Sequence, residues 1–366
     1  MSPHRTDIHE GIDPKRLERA GEVLERHVLE RSTPGAVGLL VRGSGEVSCW
    51  TAGRHTYGPE SPEVKEDSLY DLASLTKVVV TTSICMALES GLDLDERVGE
   101  FVPAFQGDCM DDVTIRHLLA HSGGLPAHQR FFETCRGREA VLAAACRTPL
   151  AYRPGAGTIY SDLSFLLLGA AVERLGGAPL EELARRYVLG PVEMEETMYL
   201  PGRELLGRIP PTEFQAEQRR GLIHGQVHDG NAWAMGGVAP HAGLFGTAAD
   251  LGRFLRVILN GGKHEGTRVF SKGAIRRFTS RAGLAPGSTR ALGWDTVSKA
   301  GSSSGAHFSN RSFGHTGFTG TSVWVDPERD LGVVLLTNRV HPTRENEGIR
   351  RLRPEFHDAV MEAAIM

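Results

Sequence analysis

The sequence predicts an α+β fold in which one antiparallel sheet, formed from both termini and flanked by helices, receives an inserted and mostly helical region. Patterns typical of strands lie near both ends of the chain, whereas apolar residues recur at helical spacing through the middle. No internal repeat or low-complexity linker separates independent domains. We therefore predict a sheet region of residues 1–73 and 247–366 and an inserted region of residues 74–246, which together form one unit.

The first predicted elements are a helix and a hairpin. Asp13 and Pro14 suit the cap and the first residue of a helix, and apolar residues follow at helical spacing from 17 to 28. Strands are predicted at 36–41 and 46–52, with a glycine-rich turn between them. A helix followed by a hairpin begins a sheet that is covered by helix.

The middle of the chain is predicted to be helical up to about residue 190. One of its segments, 162–175, is apolar nearly all round and therefore predicts a buried helix. Residues 200–246 are rich in Gly, Pro and His and are predicted to form loops. The predicted helices are 74–89, 114–120, 138–146, 162–175 and 180–188.

The last part of the chain returns to strands. Thr247 is predicted to open a helix that ends at Asn260 and the two glycines after it. Three strands are then predicted, at 291–297, 321–325 and 331–337, followed by a helix over 344–365 that is interrupted near Pro354.

The composition limits the classes of function. Charged residues make up 23% of the 366 residues, and the net charge of −4 offers no basic field to nucleic acid or acidic lipid. The five cysteines include no pair with the spacing of a zinc or redox motif. The first 31 residues lack the apolar core of a signal peptide, and the longest apolar run, 165–172, is too short to span a bilayer. These features predict a reduced, cytoplasmic protein with no nucleic-acid partner and no membrane contact.

The first candidate site is Ser74 with Lys77, at the predicted start of a helix. A serine in the first turn lies near free backbone N–H groups, and a lysine three residues later shares its face. An amine beside a serine can take the serine proton, provided that the amine is neutral. We therefore expect Lys77 to be desolvated or close to other cations. The alternative is a serine cap followed by a solvated lysine.

The second candidate is Tyr160 with Asp162, just before the buried helix. The phenol of Tyr160 could relay a proton near Ser74. The alternative is a turn tyrosine followed by an aspartate that caps the helix.

The third candidate is the glycine-rich stretch 314–320, which directly precedes a predicted strand. Its three glycines allow close approach of the backbone, and an edge strand can offer an N–H group to an oxyanion and pair with an extended substrate. The alternative is an ordinary hairpin turn.

Together, Ser-x-x-Lys, Tyr-x-Asp and His-Thr-Gly resemble the serine β-lactamase and penicillin-binding-protein superfamily. The stretches 114–126 and 243–251 are similar to its class C β-lactamase-like branch, which includes esterases, D-aminopeptidases and D-alanyl-D-alanine carboxypeptidases. The resemblance covers roughly residues 15 to 340 and implies a β-lactamase/transpeptidase-like fold with one catalytic unit.

The resemblance implies a role for each matching residue. Ser74 is the expected nucleophile, Lys77 and Tyr160 share its proton, and the N–H groups of Ser74 and Phe318 form the oxyanion hole. His315 is also expected to be catalytic. Asp162 stands where Asn is usual and His315 where Lys is usual, so both argue against recognition of an anionic antibiotic. The implied substrate-binding residues are Asp162, Thr316 and Gly317.

The histidine-rich loop leaves three interpretations open. His224 and His228 are four residues apart with Asp229 following, which suits a metal site on a helix, but no helical pattern surrounds them. The other interpretations are a substrate-facing loop and a structural polar loop. We predict that His228, Asn231 and His241 contact substrate, and that the protein uses no metal or other cofactor.

The resulting hypothesis is a serine hydrolase that forms an acyl-enzyme with a small-molecule ester, amide or D-amino-acid peptide. A β-lactamase or carboxypeptidase proper is the first alternative. A metal-dependent hydrolase built on the histidine-rich loop, and a non-catalytic penicillin-binding sensor, are the others.

Overall fold

The computed structural model describes residues 11–216, 219, 221–298 and 301–364. Its centre is a six-stranded antiparallel sheet in the order β10-β11-β12-β13-β1-β2, so strands from both ends of the chain lie side by side as predicted. The strands are β1 Gly35–Arg42, β2 Gly45–Gly53, β3 Tyr70–Asp71, β4 Met198–Tyr199, β5 Phe214–Gln215, β6 Gly221–Leu222, β7 Leu244–Gly246, β8 Lys263–His264, β9 Thr267–Arg268, β10 Asp295–Thr296, β11 Phe313–Thr316, β12 Ser322–Asp326 and β13 Leu331–Thr337.

Helices cover both faces of this sheet and fill the inserted region. They are α1 Pro14–Leu29, α2 Ser83–Ala87, α3 Val98–Phe101, α4 Ile115–Leu119, α5 Arg138–Cys146, α6 Asp162–Gly176, α7 Leu180–Ala184, α8 Gly230–Ala234, α9 Ala248–Leu259, α10 Lys272–Thr279 and α11 Ile349–Ala363. Short 3-10 helices occur at Asp108–Asp112, Phe131–Glu133 and Arg203–Arg208, and π-helical turns at Lys77–Thr82 and Arg185–Leu189.

The alternation of side chains along β1 divides the core into two layers. Ala36 and Leu40 face the layer of α1 and α11, whereas Val37 and Leu39 face α9. A β-carbon at position 38 would lie 2.4 Å from the ring of Phe356, so only glycine lets α11 approach the strand this closely. The sheet therefore stands between two helical layers, with apolar contacts on both faces.

A smaller sheet joins the inserted region to the segment before Ser74. Strand β7 pairs with β3 on one side and with β4 on the other. This pairing fixes the chain at Tyr70–Asp71, three residues before the predicted nucleophile. The exact boundaries at 73/74 and 246/247 stay a prediction.

Several sequence-based boundaries differ from the structure, and the region 200–246 that was predicted to form loops contains β5, β6, α8 and β7. The helix predicted from Ser74 is a π-helical turn, Lys77–Thr82, followed by α2, and it ends at Ala87. The predicted strand 291–297 shortens to β10. The stretch 314–320 begins as strand β11 and only then turns. Helix α11 starts at Ile349 and continues through Pro354, because the carbonyl group that loses its hydrogen bond there belongs to Arg350, an exposed residue of the first turn.

Within the described part of the chain, no single helix is both long and apolar enough to cross a bilayer. Helix α6 and the segment Leu180–Leu189 reach the required length and apolarity only as a pair, which is bent by 72° at its break.

Candidate active site

The three motifs meet at one cavity of about 1170 Å³. It lies where the edge of the six-stranded sheet faces the inserted region. Of the residues predicted for the site, the cavity is lined by Ser74, Tyr160, Asp162, His228, His315, Thr316, Gly317 and Phe318.

Ser74 follows a backbone turn that is held from two sides. Ala73 has a φ of 47°, unusual for a residue with a β-carbon, and its N–H donates to Asp71 Oδ1 at 2.9 Å. The second oxygen of Asp71 accepts from the N–H of His228 at 2.6 Å. The strained turn before Ser74 is thus tied to the histidine-rich loop.

Lys77 is fully buried and donates to three acceptors. Its Nζ lies 2.9 Å from Ser74 Oγ, 2.7 Å from Asp162 Oδ1 and 3.2 Å from the carbonyl oxygen of His241. Three acceptors match the three protons of an ammonium group.

The charge state of Lys77 corrects the sequence-based expectation of a neutral amine. Burial lowers the pKa of Lys77, but the carboxylate of Asp162 and the hydroxyl of Tyr160 outweigh it, so that the pKa is raised. Burial likewise raises the pKa of Asp162, but the charge of Lys77 outweighs it and holds that pKa below its usual range. Lys77 therefore rests as the ammonium partner of a buried ion pair.

One interpretation of the sequence expected Asp162 to cap helix α6, but it does not. The cap is Ser161, whose Oγ accepts from the N–H of Ser164 at 3.1 Å. Asp162, the first helical residue, instead turns to Lys77 and to His128, whose Nδ1 lies 3.3 Å away. The pKa of His128 is raised, mainly by this hydrogen bond.

Tyr160 stands between two cations. Lys77 Nζ lies 4.9 Å from the centre of its ring, and the guanidinium carbon of Arg290 lies 5.1 Å from it. The rings of His121 and His315 are 4.5 and 5.7 Å away, centre to centre. The phenol is therefore adjacent to the Ser74–Lys77 pair, as the resemblance implied.

His315 is a neutral imidazole, as expected. Its Nδ1 donates to the carbonyl oxygen of Thr316 at 2.9 Å, so Nε2 carries the lone pair. Burial, and then the charges of Lys77 and Arg290, hold its pKa well below the usual range. Strand β10 pairs only with Phe313 and Gly314, so the outer edge of β11 at His315 and Thr316 is unpaired within the described residues.

The turn after β11 packs directly against the segment that carries Ser74. A β-carbon at Gly317 would lie 2.1 Å from Thr321 Oγ1 and 2.7 Å from the carbonyl oxygen of Leu72. Arg353 donates to the carbonyl oxygens of Gly317 and Thr321, at 2.5 and 2.9 Å. The turn is thus held on one side by the segment before Ser74 and on another by helix α11.

Two backbone donors face this junction without a partner. Over the residues that the structure describes, the N–H groups of Ser74 and Phe318 donate to no acceptor. The Phe318 carbonyl accepts from Arg339 Nε at 2.8 Å, which holds this peptide in place. These N–H groups are the pair expected to bind an oxyanion.

The histidines of the loop each contact a different partner. His224 Nε2 contacts the carbonyl oxygens of Leu206 and Ile209, and His228 Nε2 lies 3.0 Å from Glu213. His241 Nε2 lies 2.9 Å from Asp229. A different group, His128, Asp162 and Asp229, has donor atoms within 4.8 Å of one another, but Asp162 already pairs with Lys77 and Asp229 with His241.

Two residues predicted to touch substrate, Asn231 and His241, make hydrogen bonds within the protein. Asn231 accepts from the N–H of Phe132 at 3.1 Å and donates to the carbonyl oxygen of Gln129 at 2.8 Å, so its amide joins two loops. His241 is buried behind the cavity and supports Asp229 and Lys77. Of the three loop residues predicted to contact substrate, only His228 lines the cavity.

Sequence reasoning missed several residues of the cavity wall. They come from separate parts of the chain, four from loops and one from helix α11, and they carry no motif that could have revealed them. These residues are His128, Glu213, Arg290, Arg339 and Arg353.

The class of protein follows from comparison of the whole chain with known families. The Beta-lactamase family profile matches residues 20–357, so the chain belongs to that family. It is a serine hydrolase with the β-lactamase/transpeptidase fold.

The chain is also similar to individual named proteins and to a solved structure. The chain is 32% identical to a Bacillus subtilis (strain 168) protein named N-acetylmuramyl-L-alanine amidase, over 89% of this chain and 82% of that protein. It is also 32% identical to a Salmonella typhi protein provisionally named D-alanyl-D-alanine carboxypeptidase, over 75% of this chain and 70% of that protein. The structure of "EstCE1, a hydrolase with promiscuous acyltransferase activity" aligns with a TM-score of 0.75 and 20% identity over 95% of this chain and 99% of that one, and shows the shared fold.

Proposed function

We propose that the protein hydrolyses a small ester, amide or D-amino-acid peptide through an acyl-enzyme on Ser74. One observation carries this proposal. The Ser74 hydroxyl lies 2.9 Å from a buried lysine amine, in a cavity where the N–H groups of Ser74 and Phe318 are free to bind an oxyanion. Nucleophile, proton-handling group and oxyanion donors are the parts that acyl transfer needs.

In the first step, Ser74 Oγ attacks the substrate carbonyl carbon. Because Asp162 holds Lys77 as an ammonium ion, we assign Tyr160 as the proton relay: its phenol oxygen takes the serine proton while its own proton passes to the nitrogen or oxygen of the leaving group. Lys77 orients the hydroxyl and stabilises negative charge beside it. The carbonyl electron pair moves onto oxygen, where the N–H groups of Ser74 and Phe318 bind it.

In the second step, the bond to the protonated leaving group breaks, the electron pair on the oxyanion forms the carbonyl again, and the acyl group stays on Ser74. Water then attacks the ester on Ser74, and Tyr160 takes and returns a proton in the same order. The overall reaction is hydrolysis, and the enzyme returns to its starting state.

The site favours substrates with small, uncharged groups next to the scissile bond. Neutral His315 offers no permanent positive charge at the position where related antibiotic-recognising enzymes are expected to hold lysine. The free edge at Thr316 can pair with an extended substrate. The amidase and carboxypeptidase names of the two relatives support an amide or peptide substrate.

A carboxypeptidase is the second candidate, and Arg290 favours it. Its guanidinium lies in the cavity beside Tyr160, and its ion pair with Asp295 is long, at 3.6 Å. This cation could bind the terminal carboxylate of a peptide.

The test begins with Ser74→Ala and with Ser90→Ala, an exposed serine, as its control. A fluorophosphonate should add to the wild type and to Ser90→Ala but not to Ser74→Ala, as read by intact-mass spectrometry. An adduct that persists in Ser74→Ala would show that another serine is the nucleophile.

Matched substrates then separate the two candidates. A dipeptide of D-alanine with a free carboxylate, compared with its C-terminal amide, measures preference for an anion. Under the carboxypeptidase candidate, Arg290→Gln should lower kcat/KM for the free acid but not for the amide. An equal effect on both would assign Arg290 to the reacting centre rather than to the carboxylate.

A further inference from the structure

The stretch 114–126 is not used by the proposed chemistry, yet it contains a histidine beside Tyr160. His121 follows helix α4, is 2% exposed and has a φ of 55°. A residue with a β-carbon rarely adopts this conformation, and strained backbone is often retained where it serves a functional site.

His121 holds both residues that flank Tyr160. The N–H of Ile159 donates to the His121 carbonyl oxygen at 3.1 Å, and the N–H of Ser161 donates to His121 Nδ1 at 3.0 Å. Fixing alternate residues of an extended segment prevents its rotation about its own axis. The direction of the Tyr160 side chain is thereby determined by one residue.

The ring of His121 also packs against the phenol. The ring centres of His121 and Tyr160 are 4.5 Å apart, and the ring centres of His121 and Phe165 are 5.3 Å apart. Because Ser161 donates to Nδ1, the proton of the neutral ring is on Nε2. Burial, with the charges of Arg290 and Lys77, holds the pKa of His121 well below its usual range, so no further cation is added beside Lys77.

We propose that His121 is a positioning residue that aims the Tyr160 hydroxyl at Ser74 and Lys77. It touches no reacting atom and acts through the backbone on either side of Tyr160. This inference rests on the proposed function, because it assumes that Tyr160 transfers the proton.

The test compares His121→Gly with His121→Asn, each in the wild-type and Tyr160→Phe backgrounds. Both residues tolerate the positive φ, but only asparagine keeps an acceptor for the Ser161 N–H. The control is His117→Ala, which removes a histidine of α4 whose Nδ1 bonds to Thr114. The measured quantity is kcat/KM on a p-nitrophenyl ester, with the thermal midpoint recorded for every variant.

We expect His121→Gly to lower kcat/KM by about 10²-fold in the wild-type background, the loss associated with misplacing a reacting group by about 1 Å. Asn should recover at least about tenfold of that loss. In the Tyr160→Phe background His121→Gly should change the rate less than about threefold, because there is no hydroxyl left to aim. The effect of His117→Ala should be the same in both backgrounds.

An equal loss from His121→Gly in the two backgrounds would overturn the positioning role, as would an asparagine variant no better than glycine. A different result would reject the proposed function itself, namely Tyr160→Phe with the kcat/KM of the wild type. The two failures are therefore distinguishable in one set of proteins.

Discussion

Replacing Asp162 with asparagine tests the buried ion pair that defines the resting site. The carboxylate lies 2.7 Å from Lys77 Nζ, and the lysine side chain has no solvent exposure. Without Asp162, Lys77 must either stay charged in a buried site or release its proton. We expect Lys77 to release its proton, because an unpaired charge is unfavourable in a buried site, and the loss of stability then depends on pH.

A charged Lys77 and a neutral Lys77 lead to similar estimates of the free energy of unfolding lost in Asp162→Asn. Removing one partner of a buried ion pair typically costs about 3–5 kcal/mol. Keeping the amine neutral at pH 7, about 3.4 pH units below the ordinary lysine pKa of about 10.4, costs about 4.6 kcal/mol. The asparagine amide can still accept a hydrogen bond from Lys77, which offsets part of the cost at about 1 kcal/mol. The expected loss at pH 7 is therefore about 2–4 kcal/mol.

The pH dependence has a definite sign. In the wild type, the lowered pKa of Asp162 and the raised pKa of Lys77 keep the pair charged from about pH 4 to above pH 10. In Asp162→Asn with a neutral Lys77, the unfolded chain binds a proton that the folded chain does not. Stability then rises with pH, and the deficit relative to the wild type should shrink to under about 1 kcal/mol at pH 10.5.

Urea unfolding followed by circular dichroism, at pH 7.0 and 10.5, measures both quantities. The matched control is Asp95→Asn, which removes an exposed ion pair with Arg116 at 2.6 Å and should cost less than about 1 kcal/mol. If Asp162→Asn costs no more than this control, or if its deficit is the same at both pH values, the reasoning about Lys77 is refuted.

Three further predictions concern catalysis. Lys77→Arg should lower kcat by about 10²-fold or more, because a planar guanidinium cannot occupy the ammonium position between Ser74 and Asp162. A Lys77→Arg variant with a kcat near that of the wild type would refute this. Gly317→Ala should lower kcat by about tenfold or more through displacement of the oxyanion turn, whereas Gly207→Ala, where a β-carbon meets nothing within 4 Å, should leave kcat unchanged; matching rates in the two variants would contradict the clash. Prolonged chelation should leave kcat unchanged, and loss with recovery on adding zinc would instead implicate His128 and the two aspartates beside it.

The sequence predicted most of the helices and strands because the residues that begin, end and pattern these elements are close together in the chain. The caps Asp13, Thr114 and Thr247 accept from N–H groups two or three residues away, so their effect is readable within one turn. The strands at 36–41, 46–52 and 331–337 were found within one or two residues for the same reason, since they alternate or run apolar over a short span. The predicted length of strand 291–297 was wrong, because the length of a strand depends on a partner strand that the sequence does not show.

Several statements made from the sequence stay predictions. They are the domain boundaries, the cytoplasmic location, the lack of a nucleic-acid or membrane partner, and the roles of the individual site residues. For two of these residues the structure shows partners within the protein, namely for the side-chain amide of Asn231 and for Nε2 of His241.

The sequence by itself determined the contact between Ser74 and Lys77, because a spacing of three residues places the two side chains on one face of a turn. The His-Thr-Gly pattern predicts an oxyanion turn without any knowledge of the fold, and that role stays a prediction. Only the tertiary structure decided the charge of Lys77, because that depends on a carboxylate 85 residues away and on complete burial. It also decided that His121 holds Tyr160, and that each histidine of the loop takes a different partner. Such contacts depend on the path of the chain, which local spacing does not encode.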